Sequence, residues 1–116
     1  MSLSIGAPVW GVQDIRQGVA FWTQALDYVP RDDPQEDWAS LVPRDGDGVQ
    51  LSLMRVSSPA EDRRRHHLDL FTEDREVEVE RLLGLGAGPV DWDYEDDADY
   101  VVLSDPDGNL FCVVQR

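Results

Sequence analysis

A repeat of one period runs through the chain and constrains its fold more than any other feature. An offset of sixty residues aligns the two halves without a gap. It places Val12-Gln13-Asp14 on Thr72-Glu73-Asp74, and the turn Asp45-Gly46-Asp47-Gly48 on Asp105-Pro106-Asp107-Gly108. Few aligned residues are identical, but the turn-forming residues keep register throughout. Because a fixed period marks a structural unit that is used more than once, we predict two modules of the same architecture.

Each half is predicted to contain a strand, a helix and then three further strands. Asp14 and Asp74 precede the helical patterns and are good helix N-caps, and Gln17 stands at the capping-box position. The apolar helix positions are Ile15, Val19, Trp22 and Leu26 in the first half and Val79, Leu82 and Leu83 in the second. The predicted strands cover residues 7–13, 28–30, 38–43 and 49–56, then residues 66–72, 90–94, 100–103 and 110–115.

The fold class predicted from this pattern is α+β, with two βαβββ modules in a single domain, residues 1–116. Module one covers residues 5–56 and module two covers residues 66–116. Residues 57–65 carry Ser, Pro and charge without an apolar period, so we predict an exposed linker there. Two sheets that are each covered by a helix on one face can join as a curved mixed sheet, whose inner face would enclose a cleft.

Charge and composition exclude several classes of partner. The formal net charge of −14, from 24 acidic and 10 basic side chains, argues against nucleic acid and anionic membranes. It favours a cationic ligand, although an acidic surface also keeps a protein soluble. No apolar run approaches the roughly 20 residues of a membrane span, and no signal-peptide pattern is present, so we expect a cytoplasmic protein. The lone cysteine, Cys112, excludes an internal disulfide.

Four segments carry a resemblance to a known superfamily. They are Val12-x-Asp14 with Ala20-Phe21-Trp22, His67-Leu68-Asp69-Leu70, Val79-Glu80-Arg81-Leu82-Leu83, and Val102-Leu103-x-Asp105-Pro106-Asp107-Gly108. In this order they resemble the vicinal oxygen chelate superfamily of glyoxalase I, bleomycin-resistance proteins and extradiol dioxygenases. Among its members the chain is most similar to the short glyoxalase-like domains of actinobacteria. The resemblance implies two βαβββ modules around a U-shaped cleft, and a homodimer.

The resemblance also implies four positions for metal ligands, on the first and last strand of each module. In this chain they fall on Ala7, Ser52, His67 and Cys112. Members of the superfamily usually carry His, Gln or Glu at these positions. Ala7 has no donor atom and Ser52 is a poor ligand, so only His67 and Cys112 can ligate. A catalytic zinc site needs three protein ligands, and we therefore expect neither a catalytic metal nor another cofactor.

Strand alternation counted from His67 assigns the residues that would line the cleft. His67 and Asp69 share a face and are the candidate catalytic pair, because a carboxylate can orient a histidine for acid–base work. The alternative is a structural histidine bonded to a backbone carbonyl. Cys112 is expected to be an inert thiol rather than a nucleophile. The predicted ligand-binding residues are Val9, Gly11, Gln50, Ser52, Met54, Phe71, Trp92 and Cys112.

Two acidic segments at equivalent positions, residues 31–38 and 91–98, carry aromatic rings. Carboxylates beside the aromatic residues of these segments suit a flat cationic ligand through charge and cation–π contact, the rings being those of Trp38, Trp92, Tyr94 and Tyr100. The alternative is a pair of solvated hairpins with ordinary strand aromatics. Bleomycin-resistance proteins, which the chain resembles, lack the metal and bind a cationic drug in their clefts.

Four functions follow from these features. The first is a small-molecule-binding protein that works without a catalytic metal, and its ligand would be cationic or aromatic. The second is an atypical lyase or isomerase that uses His67 with Asp69. The third is a metal-dependent enzyme of the glyoxalase type, against which Ala7 and Cys112 argue. The fourth is a domain whose cleft is vestigial and whose role is assembly.

Overall fold

The computed structural model describes residues 5–60 and 67–116. The chain divides into two compact units between Pro59 and Ala60. This division falls within the predicted linker, residues 57–65, most of which lies outside the described residues. His66, the predicted start of the second module, lies outside them as well.

The first unit contains one helix and one four-stranded mixed sheet. Its elements are β1 (Val9–Val12), α1 (Ile15–Leu26), β2 (Tyr28–Pro30), β3 (Trp38–Pro43) and β4 (Leu51–Arg55). The strand order is β1-β4-β3-β2, so the first strand pairs with the last. That pair is parallel, and the other two pairs are antiparallel.

The second unit repeats this topology. Its elements are β5 (Leu68–Thr72), α2 (Arg75–Leu85), β6 (Gly88–Pro89), β7 (Tyr100–Ser104) and β8 (Leu110–Gln115). The order is β5-β8-β7-β6, and β5 pairs with β8 in parallel. The predicted α+β class and the doubled βαβββ module are therefore confirmed.

The predicted helix caps are confirmed in both units. The Asp14 carboxylate accepts a hydrogen bond from the backbone N–H of Gln17 at 3.1 Å, and Asp74 does the same for Val77 at 3.3 Å. Each bond satisfies one of the four N–H groups that a helix start leaves without a partner. At the other end of α2, Gly86 has φ +116°, a left-handed conformation that glycine adopts without strain.

The two helices bury their apolar positions to different extents. Ile15 and Trp22 of α1 are buried as predicted, together with Phe21 and Ala25. In α2 only Leu82 is buried, and Leu83 is exposed, which corrects the prediction for that residue. Leu83 lies about 100° around the helix from Leu82, so only one of the two can face the sheet squarely.

The prediction of a strand over residues 90–94 is wrong. The strand that pairs with β7 lies earlier in the chain. Gly88 and Pro89 pair with Ser104 and Leu103. A Cβ on residue 88 would lie 2.6 Å from the Ser104 hydroxyl oxygen, so the close approach depends on glycine. Further along β7, the hydroxyl of Tyr94 accepts a hydrogen bond from the backbone N–H of Val102 at 2.8 Å. Beyond the two residues of β6, a side chain rather than a strand backbone therefore satisfies the edge of β7.

Within residues 5–60 and 67–116, no helix has the length and apolar character that a membrane span requires.

Gly18 sets how closely α1 approaches its sheet. A Cβ at this buried position would lie 3.1 Å from a methyl group of Leu53 and 3.4 Å from one of Val12. Both neighbours are completely buried, so the surrounding core restricts their movement. Gly84 of α2 offers a contrast, because a Cβ there would meet nothing within 4 Å.

We predict that Gly18→Val lowers the free energy of unfolding by about 1–3 kcal/mol, since the added methyl groups overpack the interface between α1 and β4. The matched variant Gly84→Val is expected to change it by less than about 0.5 kcal/mol, because valine replaces glycine on an open helix surface. Urea unfolding followed by circular dichroism measures both. Equal losses in the two variants would contradict the close approach at Gly18.

Candidate functional site

His67 and Asp69 form a hydrogen-bonded pair at the start of the second sheet. His67 directly precedes β5 and Asp69 is its second residue, so the two side chains leave the strand on the same side. The distance between His67 Nε2 and Asp69 Oδ1 is 3.1 Å, and each side chain is 49% exposed. The pair is therefore both preorganised and accessible to solvent. The carboxylate, rather than a backbone carbonyl, holds the imidazole.

Cys112 lies beside this pair because of the strand register. Asp69 in β5 and Cys112 in β8 are direct partners in the parallel pairing, so their side chains are neighbours on one face. Burial, followed by the negative charge of Asp69 and a hydrogen bond to its carboxylate, raises the pKa of Cys112 to about 11. The thiol is protonated at neutral pH and is a poor nucleophile.

These three residues occupy the face of the second sheet that α2 does not cover. Strand alternation places Phe111, Val113 and Leu103 on the opposite face, where they are 2% exposed or less. On the face of Asp69 and Cys112, Phe71 at the end of β5 is 62% exposed, whereas Val102, the partner of Cys112 in β7, is 2% exposed. We call the face that carries His67, Asp69, Phe71, Cys112 and Tyr100 the open face of module two.

Phe71 already contacts a cation of its own chain. The Arg116 guanidinium lies 4.4 Å from the centre of the Phe71 ring, within the range of a cation–π interaction. Phe71 and Arg116 come from neighbouring strand ends, since β5 pairs with β8. The contact places one positive charge on the open face, which also carries the carboxylate of Asp69.

A cluster of aromatic rings and one carboxylate adjoins the open face through Tyr100. The rings of Tyr94 and Tyr100 have centroids 5.4 Å apart. The Tyr100 hydroxyl donates a hydrogen bond to Glu95 Oε2 at 2.9 Å. The Trp92 side chain lies close enough to Tyr100 to act on its pKa. We call Trp92, Tyr94, Glu95 and Tyr100 the aromatic–acid cluster. The sequence analysis names Trp92, Tyr94 and Tyr100 as possible contacts of a flat cation, and Glu95 only as part of the acidic segment 91–98.

Hydrogen bonds in the cluster favour an ionised Glu95. A bond from its own backbone N–H, followed by the one from the Tyr100 hydroxyl, lowers the pKa of Glu95. The hydrogen bond to Glu95 correspondingly raises the pKa of Tyr100. At neutral pH the cluster therefore holds one fixed negative charge against neutral aromatic rings.

The remaining predicted site residues lie in module one. Val9, Gly11, Ser52 and Met54 lie on the sheet face that α1 does not cover, whereas Trp10 packs its ring against Trp22 of α1. The exposed fraction is 52% for Val9 and 42% for Met54, but only 2% for Ser52. The predicted site residues thus form two groups, one on the sheet of each module.

Ser52 takes part in a network of side-chain hydrogen bonds. Gln50 Nε2 donates a hydrogen bond to Ser52 Oγ at 3.1 Å, and Gln50 Oε1 accepts one from Arg31 at 3.0 Å. The Trp38 indole likewise donates to Ser40 Oγ at 3.1 Å on the neighbouring strand. Sequence reasoning missed Arg31 and Ser40, because neither carries a motif and only the register brings them to this face.

The residues at the superfamily's four metal positions do not fit its usual metal. Ala7 offers no donor atom, and the Ser52 hydroxyl is already bonded to Gln50. Only His67 and Cys112 remain at those positions, one ligand short of a catalytic site. The structure nevertheless brings a third potential ligand to them, Asp69, which sequence reasoning treated only as the partner of His67.

A groove of about 850 Å³ in module one lies apart from the candidate site residues. It lies at the start of α1, against residues 34–36 and Arg55. Its polar groups pair with one another, since Arg55 contacts Glu36 at 3.4 Å and Asp14 caps the helix. It contains none of the predicted site residues.

Solved structures with this fold include resistance proteins and enzymes. Fosfomycin resistance protein FosX from Listeria monocytogenes aligns with a TM-score of 0.78 at 15% identity, over 100% of this chain and 93% of its own. A variant of it was solved with Mn(II). A glyoxalase/bleomycin resistance protein/dioxygenase family enzyme from Burkholderia phytofirmans aligns with a TM-score of 0.73 at 15% identity, over 97% of this chain and 98% of its own. These likenesses establish the fold.

The family model agrees with the fold. No curated protein matches the chain significantly. The model described as a glyoxalase-like domain, however, matches residues 9–114, nearly the whole sequence. The chain belongs to the glyoxalase-like domain family, within the vicinal oxygen chelate superfamily.

Proposed function

We propose that this protein binds a small cationic, aromatic molecule at module two, without a metal at the superfamily's four positions. The observation that carries the proposal is the aromatic–acid cluster, in which an ionised carboxylate accepts a hydrogen bond from one of two packed tyrosines. Trp92 and Tyr94 are 43% and 37% exposed, so a ligand can reach both rings.

The physical basis of recognition is charge combined with ring stacking. Aromatic faces carry negative electrostatic potential and attract cations, by about 0.5–1 kcal/mol per ring at exposed sites. Glu95 adds a full negative charge at the edge of Tyr100, at a hydrogen-bond distance of 2.9 Å. The net charge of −14 raises the local concentration of any cationic ligand and disfavours anionic ones. A bleomycin-resistance type of role, in which a charged drug is sequestered, agrees with these features.

We predict that benzyltrimethylammonium binds more tightly than benzyl alcohol, its uncharged aromatic counterpart. Glu95→Gln should weaken binding of the cation about two- to fivefold and leave the alcohol unaffected, since only the charge is removed. Trp92→Leu should weaken both ligands, because it removes stacking surface. Isothermal titration calorimetry at low and moderate salt measures these affinities.

Glu80→Gln is the matched control, because Glu80 is an exposed acid of α2 outside the cluster. It changes the net charge by the same amount and should leave both affinities unchanged. A loss of cation binding as large as that of Glu95→Gln would mean that the overall charge, and not the cluster, attracts the ligand.

A second function is favoured by one specific contact, the 3.1 Å hydrogen bond between His67 and Asp69. A histidine that a carboxylate orients can move a proton to and from a substrate carbon or oxygen. The function would be that of a lyase or isomerase that needs no metal. Both side chains are half-exposed, so a substrate can reach the imidazole.

We predict that, if this second function holds, the chelator-treated protein turns over the hemithioacetal of glutathione and methylglyoxal. His67→Ala should then lower kcat about 100-fold or more, within the usual contribution of a general acid or base. His66→Ala is the sequence-adjacent control and should retain the rate. Thermal unfolding checks that each variant folds. Absence of turnover by the natural sequence, or full turnover by His67→Ala, would leave the binding function alone.

Cys112 is not the nucleophile in either function, because its thiol is protonated at neutral pH. Its pKa of about 11 lies above the ordinary value of 9.0. Since only the thiolate attacks electrophiles, a raised pKa lowers the reactive fraction at any pH below it.

We predict that, in the presence of chelator at pH 8, iodoacetamide modifies Cys112 about 100-fold more slowly than in the urea-unfolded chain. Asp69→Asn should accelerate the reaction, because it removes the negative charge that opposes ionisation of the thiol. The exposed Asp93→Asn is the control and should leave the rate unchanged. Mass spectrometry follows the single adduct. An Asp69→Asn rate equal to that of the natural sequence would contradict the contact between Asp69 and Cys112.

A further inference from the structure

The turns between the third and fourth strands of the modules contain three Asp-Gly pairs, which are Asp45-Gly46, Asp47-Gly48 and Asp107-Gly108. An aspartate before glycine can cyclise with the backbone nitrogen that follows it, because glycine has no Cβ to hinder the approach. We propose that Asp47 is a modification site, at which the folded chain isomerises spontaneously to isoaspartate, and that the fold protects the other two pairs. The proposal does not rest on either function proposed above.

Backbone hydrogen bonds hold the reacting nitrogen at two of the three pairs. The N–H of Gly46 donates to the carbonyl of Pro43 at 3.0 Å. The N–H of Gly108 donates to the carbonyl of Asp105 at 2.9 Å. In the part of the chain that the structure describes, the N–H of Gly48 has no acceptor. A nitrogen that is held in a hydrogen bond must be released before it can attack, so only the Gly48 nitrogen is available without local opening.

The repeat makes Asp47 and Asp107 equivalent, and their surroundings explain why they differ. In module two, Asp105 is 3% exposed, and its Oδ1 accepts the N–H groups of Asp107 and Asn109 at 3.0 and 2.8 Å. The equivalent Asp45 of module one is exposed, and its Oδ1 accepts the N–H of Asp47 at 3.1 Å. A buried carboxylate therefore holds the second turn from within the module, whereas the carboxylate of the first turn lies in solvent.

The Asp47 carboxylate is also the more accessible of the two equivalent groups. Asp47 and Gly48 are both exposed, whereas Asp107 is half-buried and its Oδ2 is enclosed by protein. Gly48 has φ +132°, and a Cβ there would lie 3.0 Å from a side-chain carbon of Pro43, so the turn requires glycine at this position. The turn thus places an unhindered nitrogen directly after an exposed carboxylate.

The isomerisation needs no cofactor and conserves all atoms. The Gly48 nitrogen attacks Cγ of Asp47, and the new C–N bond closes a succinimide ring. The proton of that nitrogen and the hydroxyl of the protonated carboxyl group leave together as water. Water then adds to the main-chain carbonyl carbon of Asp47, and the bond from that carbon to the Gly48 nitrogen breaks. The chain now continues through Cγ with one more methylene group, and the freed carboxylate preserves the charge.

Ageing of the full chain, folded and at neutral pH, tests the proposal. Peptide mapping with electron-transfer fragmentation distinguishes isoaspartate from aspartate at each position, and methyl transfer by a protein-isoaspartate methyltransferase counts the product independently. We expect isoaspartate to form at Asp47 about tenfold or more faster than at Asp45 or Asp107, because those two react only through local opening. In the urea-unfolded chain the three rates should lie within about threefold of one another, since the protecting hydrogen bonds are lost.

Two variants that preserve the charge check the assignment. Asp47→Glu should abolish methyl transfer to the first turn, because the longer side chain disfavours ring closure. Asp107→Glu, at the equivalent position of the repeat, should leave the yield at Asp47 unchanged. Thermal unfolding verifies that both variants are folded.

Three results would overturn the proposal. Equal yields at Asp47 and Asp107 in the folded chain would mean that the hydrogen bond of Gly108 gives no protection. A preference for Asp47 that persists in urea would mean that the neighbouring sequence, and not the fold, selects the site. Absence of isoaspartate from the folded chain, with product formed in urea, would mean that the turn holds the Asp47 carboxyl group away from the Gly48 nitrogen.

Discussion

The parallel pairing of the first and last strands in each module is the constraint on which both candidate sites depend. A βαβββ chain that proceeded only by hairpins would place its first and last strands far apart. Here β1 pairs with β4, and β5 pairs with β8. The pairing brings residues some forty positions apart in sequence into direct contact, as with Asp69 and Cys112. It also requires the helix to cross over one face, which leaves the other face available for function.

The sequence predicts the modules, the helices and the sheet faces of this structure, but not the register of its strands. The period of sixty residues and the two Asp caps predict the modules and both helices. Strand alternation also predicts that His67, Asp69 and Cys112 share a face, since that depends only on parity. It does not predict that Asp69 stands directly opposite Cys112, because register is decided by packing and pairing over the whole sheet. The contact between Asp69 and Cys112 could therefore not be predicted from the sequence, although both residues could be placed on one face.

The aromatic segment of module two shows why an alternating sequence pattern can predict a strand that does not form. Val90 to Tyr94 alternate as a strand would, yet β6 forms at Gly88–Pro89 and the segment beyond it makes no strand. The outcome depends on a single side chain, because the Tyr94 hydroxyl accepts the N–H of Val102 that a strand backbone would otherwise accept. A hydrogen bond between a side chain and the backbone eight residues away produces no repeating pattern in the sequence, so pattern-based reasoning does not detect it. The same bond keeps Tyr94 near Tyr100 and so helps to assemble the aromatic–acid cluster.

The two modules share a topology but differ in the burial and hydrogen bonding of the residues at equivalent positions. In module one, Ser52 is 2% exposed and bonded to Gln50, which is bonded in turn to Arg31. In module two the equivalent residue, Cys112, lies beside a half-exposed carboxylate and imidazole. The buried helix face also differs, since α1 buries several large side chains and α2 buries Leu82. The first sheet therefore has the larger helix-packed core, and the second sheet carries the half-exposed polar side chains of the candidate site. Substitutions at Gly18 and at His67 test these two features separately, because the first disturbs packing without touching a polar group and the second removes a polar group that is half-exposed.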